Sequence, residues 1–489
     1  MADSRIVADA NMRALSEAEN QSMQFAFPTT AKGFTKGRVE YNAPLMLDLR
    51  TLSQHIDKVL MFSHLEMPVR DVQRVMRGIG GTMNKVDPEA IPSLITPWLN
   101  RAAKQQVVTP ISNDAGTSRF LSVMRSRAGA AAMFGNLANA VQQVTGFSLA
   151  ALKVRPSLML SATADYAKHP KVFVAGVSEA SPYMAERLNS EVAAMNDNIN
   201  DILLNPSLLE KGQAWSMRHA YFLQTAIDSA MSPIVWTAAY NQALEQGHSH
   251  DDAVRLGDSA VRETQGSTLP EDISRIESGN AFVRLFTQFA GYFNMQANLL
   301  GTEYAKMIQQ DYGLRKNASK GLFIFMLGFY VPAVVGELVM QLFKGGPGDD
   351  DKDGEYLDDW LAVLFGWAPL RTVTAMIPVA GQAMNSAINA WNSKPYDDRI
   401  ASSPAISMLE SAAKAPVSVY NAVINDGSGQ KAVRDVATLI SMTVGIPVNL
   451  AARPIGYAVG VADNKITPTS GPDMARGLVT GVASPDSKR

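Results

Sequence analysis

The sequence contains no cysteine. That excludes a disulfide framework, a cysteine-ligated zinc site and a thiol nucleophile. Charge is sparse too: Asp, Glu, Lys and Arg make up 18% of the 489 residues, against roughly a quarter in ordinary soluble domains. The formal net charge is −2, so no global field draws the chain to nucleic acid or to an anionic bilayer. No stretch alternates apolar and polar residues strongly enough to predict a sheet, and no repeat of fixed period is visible. The N-terminal stretch MADSRIVADANMRALSEAEN lacks an apolar core and does not read as a secretory signal.

In place of charge the chain carries Ala, Ser, Asn, Gln and 24 methionines. Methionine is flexible and soft, and suits surfaces that repack against several environments. The patterning predicts an all-α, multi-helix elongated bundle, with a Pro/Gly-broken apolar C-terminal helical region and a disordered tail. The expected divisions are an N-terminal helix and loop (1–44), a main helical domain (45–312), an apolar, membrane-competent helical hairpin (313–400) with an acidic linker (345–359), short C-terminal helices (401–462) and the tail (463–489). Pro68 is expected to open a new helix at its first turn. Ser181-Pro182 and Ser249 read as helix caps.

One run stands out. Gly321 to Phe343 is 23 residues long, and Glu337 is its only ionisable side chain. As a helix it reaches ~34 Å, enough for a hydrocarbon core. Lys320 and Lys344 bracket it, as basic residues do at membrane edges. The residues expected to touch lipid are Leu322, Phe323, Phe325, Phe329, Val331, Val334, Val335 and Leu338. From the second apolar stretch, Trp360 to Ala380, they are Leu361, Leu364, Phe365 and Trp367. Pro369 and Pro378 predict a hairpin of two short helices there. Glu337 and the acidic linker are expected at the water interface, since a carboxylate centred in lipid is costly. A second reading stays open, in which the run is the core helix of a soluble protein.

Motifs for chemistry are weak. Asp349, Asp351, Asp353 and Gly354 imitate half a calcium loop, but the twelfth position is Trp360 and not a bidentate Glu. His248 and His250 beside Asp251 and Asp252 have no evident third ligand and read as a helix entry. Gly78, Gly80 and Gly81 lack the strand before and the Lys-Ser/Thr after that a phosphate loop needs. Lys32, Lys36 and Arg38 with Phe34 and Tyr41 read as a solvated loop. No catalytic residue, cofactor site or metal site is expected.

Four segments in order carry a resemblance. They are Leu49, Leu52, His55, Ile56 and Asp57 followed by Pro68, Val69 and Asp71; Met133, Gly135, Asn139, Gln143, Gly146 and Leu149 in an uncharged stretch; the aromatic run from Arg284 to Leu300; and Val331-Pro332-Ala333 with Glu337, the acidic linker, Trp360 and Pro369. Over about residues 40 to 400 the chain resembles the C-terminal helical modules of phage large polyvalent proteins, a group that includes internal virion proteins. The resemblance implies a protein packaged in the capsid interior, then ejected into the host cell envelope to help build a conduit for DNA; the chain departs from the family in showing no upstream enzymatic module, and it reads as non-enzymatic. It implies other ejection proteins, further copies of the chain and host membrane lipid as partners, with non-specific contact to phage DNA. Two alternatives accompany it: a soluble structural core or scaffold protein of the virion, and the C-terminal fragment of a multi-domain phage polyprotein enzyme.

Overall fold

The computed structural model describes residues 50–104, 115–133, 143–189, 219–266, 272–273, 277, 287, 291–310, 313–347, 356–376, 404–425 and 429–487. Within them the protein is all-α. The chain divides into two compact units, Met1–Thr109 with Leu269–Ser278, and Pro110–Thr268 with Gly279–Arg489.

In the first unit, α1 (Arg50–Val86) is one helix with Pro68 inside it. The expected break at Pro68 does not occur. Pro68 and His64, whose carbonyl loses its partner, are both exposed, and at an exposed position solvent can take the place of the lost donor. Gly78, Gly80 and Gly81 lie within α1. A π-helical turn, Ala90–Ile95, leads into α2 (Thr96–Lys104). Val69 and Leu99 pack together with Val72 against them.

The second unit begins with α3 (Ala115–Met133), and the short helix Gly146–Ala150 follows. Next come α4 (Pro156–Lys168), α5 (Pro170–Ala180), α6 (Phe222–Glu245) and α7 (His250–Thr264). Ser181 caps the helix over 182–189: its hydroxyl accepts the Met184 N–H at 3.0 Å and donates to Asp258 at 2.6 Å. Trp236 Nε1 donates to the same Asp258 oxygen at 2.8 Å. Gly257 leaves room for that indole, which lies 2.8 Å from where a Cβ would stand. Ser249 caps α7 by accepting the Asp252 N–H. Arg187, 1% exposed, donates to Asp228 at 2.9 Å and to the Gly266 carbonyl.

Next in sequence are α8 (Gly291–Gln310), α9 (residues 314–344) and α10 (residues 356–375). The chain ends with α11 (Pro404–Ile424), α12 (Gly429–Val444), α13 (Val448–Ala462) and α14 (Gly471–Thr480). Helices α11, α12 and α13 pack in sequence, and all three touch α3. Arg127 on α3 donates to the Met442 and Thr443 carbonyls at the end of α12. Pro416 and Pro454 lie inside α11 and α13, so proline does not break these helices as composition suggests. The tail is folded as well. Ser470 accepts the Asp473 N–H, Pro472 sits in the first turn, and a ten-residue helix follows. Local capping and burial of Ile466 and Ala483 against Tyr457 outweigh a composition that reads as disordered.

Lys153 ties three segments of this unit. It pairs with Glu263 on α7 and, at 2.6 Å, with Glu303 on α8. Burial works against its ammonium, but the hydrogen bonds to the two carboxylates prevail and hold its pKa above the usual lysine value. Against its own burial, Glu263 is held below the usual carboxylate value by Lys153 and Ser259. Glu263 therefore stabilises the fold above its unfolded pKa, and the gain is lost as pH falls through the lower folded value. Lys153 stabilises below its unfolded pKa, and the gain is lost as pH rises through the higher folded value. The cluster should be fully stabilising between about pH 5 and about pH 10. Lys153→Met is expected to cost about 1–2 kcal/mol, discounted because the Glu263 side chain is 40% exposed. Thermal melts from pH 3 to pH 7 should show a shallower acid-side loss in the variant than in the parent.

Candidate membrane-contact surface

The apolar run folds as part of α9, which joins Leu314–Phe325, a π-helical turn Met326–Tyr330, and Val331–Lys344 without a break. Gly313, at φ +84°, makes the turn from α8. The second stretch, α10, likewise joins Tyr356–Leu361, a π-helical turn Ala362–Trp367, and Ala368–Ala375. The hairpin expected between Trp360 and Ala380 is thus one helix as far as Ala375, and Pro378 lies outside the described residues.

Both prolines are absorbed in the same way. Proline has no N–H, and its ring strikes the carbonyl four residues back. A π turn inserts one extra residue and moves that carbonyl aside. The residue before each proline donates five residues back: Val331 to the Met326 carbonyl ahead of Pro332, and Ala368 to the Val363 carbonyl ahead of Pro369. Thr96 does the same, to Ile91, ahead of Pro97.

The carbonyl left over by Pro332 is that of Gly328, and α8 supplies its partner. Gln296, fully buried, donates Nε2 to the Gly328 oxygen at 2.8 Å. Tyr304, two turns along α8, donates to the Gly321 carbonyl at 3.0 Å. Gly328 permits the close approach, because a Cβ there would stand 2.5 Å from Leu300 Cδ2 and 3.0 Å from Leu152 Cδ1. Gln296→Leu should leave the Gly328 oxygen buried without a donor, at a cost of about 1–3 kcal/mol. Chemical denaturation should show it as a lower midpoint at unchanged slope.

Helices α9 and α10 bury part of their apolar surface and expose the rest, and on α9 most exposed apolar residues precede or begin the π turn while most buried ones follow it. Buried are Phe329, Pro332, Ala333, Gly336, Glu337, Val339, Met340 and Gln341. Glu337 is 1% exposed and accepts a hydrogen bond from Gln341 at 2.6 Å. It is not at the water interface as expected: it shares the buried face of α9, one turn from Ala333 and Gln341. Exposed are Leu322 (62%), Phe323 (50%) and Phe325 on α9, with Leu357, Leu361, Phe365 (65%), Leu370 and Val373 on α10. Val331, Val334, Val335, Leu338, Leu364 and Trp367 are half-buried. Along α9 the Phe325 ring lies 5.3 Å from Phe329, and between the helices Tyr330 lies 6.0 Å from Phe365. The stretch Arg315–Lys344 is long and apolar enough to cross a membrane, and 44% of its most apolar window is buried inside the protein.

Other sequence expectations resolve briefly. Of the acidic linker expected at 345–359, residues 348–355 lie outside the described residues, as do Lys32, Lys36, Arg38, Phe34 and Tyr41. Asp358 and Asp359 fall in the first turn of α10, where the helix dipole favours carboxylates. His250 shares a hydrogen bond with Tyr240, Nδ1 to Oη 2.9 Å. Among the described residues no three His, Asp or Glu side chains gather to hold a metal. The capping of Gly328 by Gln296 carries no sequence signature. Comparison of the chain with protein-family models, with curated proteins and with solved structures finds no match.

Proposed function

We propose that the chain is a non-enzymatic phage internal virion protein. It contributes to DNA ejection by forming part of a helical conduit across the host envelope, with the α9–α10 hairpin as its lipid-contacting element. The supporting observation is the set of exposed apolar side chains Leu322, Phe323, Phe325, Leu357, Leu361 and Phe365, carried by two adjoining helices. Clusters of exposed apolar side chains mark interaction surfaces, and Phe and Leu suit a helix surface laid against a bilayer. The virion part rests on the ordered resemblance of residues 40 to 400. Its partners are other ejection proteins, further copies of the chain, lipid and, without sequence preference, phage DNA.

Flotation of the purified chain with neutral phosphatidylcholine vesicles tests the lipid part. Recovery in the lipid fraction is expected, and recovery only in the dense fraction overturns it. The genes beside this one test the virion part: portal and tail genes are expected there, and neighbours of unrelated metabolism count against it. A second reading, a soluble structural core or scaffold protein of the virion, is favoured by the deep burial of Glu337 and by the side chains that α8 extends to α9. It predicts a stable oligomer that ignores vesicles.

A further inference from the structure

The base of the hairpin is held by a segment far away in sequence. Helix α9 ends at Gly345, which takes φ +93°. The Phe343 carbonyl, in the last turn, accepts a hydrogen bond from Arg476 Nη1 at 2.9 Å. A Cβ at position 345 would stand 2.8 Å from the Arg476 Cζ, so the glycine is also the seat of the guanidinium. A cation at a helix C-terminus is favoured by the helix dipole as well as by the hydrogen bond. Arg476 is aimed by its own helix: its Nη2 pairs with Asp473 at 2.6 Å, and its Nη1 also reaches the Val482 carbonyl at 3.4 Å. Tyr356, the first residue of α10, donates to Asp486 at 3.4 Å. The C-terminal segment therefore touches the end of α9, at Phe343 and Gly345, and the start of α10, at Tyr356.

The same segment is anchored elsewhere. Gly477 lies flat on the ring of Tyr457, which is fully buried on α13, and Ile466 and Ala483 complete that cluster. One side of the segment is thus fixed by apolar packing. The other reaches the hairpin through a few polar contacts, which water can replace at small cost.

We propose that residues 464–487 form a latch: anchored on α13, they hold the end of α9 through Arg476 and the start of α10 through Asp486, and release of the Arg476 contact frees the last turn of α9. The consequence for lipid rests on the membrane reading given above, because the inward face of α9 must leave the protein before the hairpin can span a bilayer.

The experiment uses the full chain as the parent, as Arg476→Met, which keeps the aliphatic stem and removes the donors, and as Arg476→Lys, which restores one cation. Amide exchange in water, without lipid, reads the latch alone. In Arg476→Met, exchange over 340–347 and 356–360 should be about tenfold faster, with α11 and α12 unchanged as a check on folding, and Arg476→Lys should fall between. Unchanged exchange over 340–347 and 356–360 overturns the latch whether or not the protein binds lipid. Flotation with limiting phosphatidylcholine vesicles reads the consequence. Recovery of Arg476→Met should exceed that of the parent by about threefold or more. Faster exchange with equal recovery of parent and variant overturns the gating role. If neither protein floats, the membrane reading fails, and exchange still decides whether Arg476 holds the end of α9.

Discussion

Recovery of the chain with neutral vesicles should fall to background in the triple variant Leu322→Asp, Phe323→Asp, Phe365→Asp. Each carboxylate carried into hydrocarbon costs ~2.5–3.5 kcal/mol on insertion scales, and less near the interface. Even about 1 kcal/mol at each of three sites lowers binding more than about a hundredfold. The folded protein in water should hardly notice, because the three side chains are 62%, 50% and 65% exposed. Surface changes of this kind shift stability by about 0.5 kcal/mol or less each. A melting curve close to the parent's, together with lost flotation, is the expected pair of results. Flotation equal to the parent's removes this face from lipid contact.

Gly477→Val should detach the C-terminal helix without unfolding the rest. A Cβ at 477 would stand 2.2 Å from Tyr457 Cζ and 2.3 Å from Cε2. The obstacle is a rigid ring with no exposed surface, not the free end of a flexible chain. Overpacking of that severity costs about 3 kcal/mol, the upper end of the usual range. Lifting α14 off α13 relieves it, at the expense of the contacts around Ile466 and Ala483. The expected signature is local: amide protection lost over 471–487 and kept in α11 and α12. The Tyr457 phenol reports the same event. Burial, helped by nearby Asp473, holds its pKa above the ordinary tyrosine value, against the opposing pull of Arg476. In the variant it should return toward that value in a spectrophotometric titration.

Much of this architecture is written in local chemistry. The α9 helix is legible because an apolar run with a single ionisable residue, Glu337, lies between Lys320 and Lys344, and length then predicts a span. The Ser181 and Ser249 caps are legible because a hydroxyl before a helix has one obvious use. Ser470, Pro472 and Asp473 carry the same cap signal, but the Gly, Pro and Ser around them mask it. In that tail the glycines are contact residues: Gly477 accommodates the Tyr457 ring, and Gly481, at φ +69°, ends α14. The prolines mislead for a different reason. A missing N–H predicts a break only if the freed carbonyl goes unsatisfied, and neither π turns nor the Gln296 side chain are visible in the pattern around Pro332. Glu337 misleads because an isolated carboxylate near the end of an apolar run fits an interface as well as a buried hydrogen bond to Gln341. The position of Arg476 beside Phe343 is a long-range fact that no local spacing encodes.

The natural absence of cysteine makes the central claim directly measurable. Single cysteines placed as Phe323→Cys and Phe365→Cys, each the only thiol in its chain, can be titrated with a membrane-impermeant maleimide. Both should label rapidly in water, as exposed side chains do, and should be protected about tenfold or more when neutral vesicles are added. Equal labelling with and without vesicles would contradict the assignment of this face to lipid.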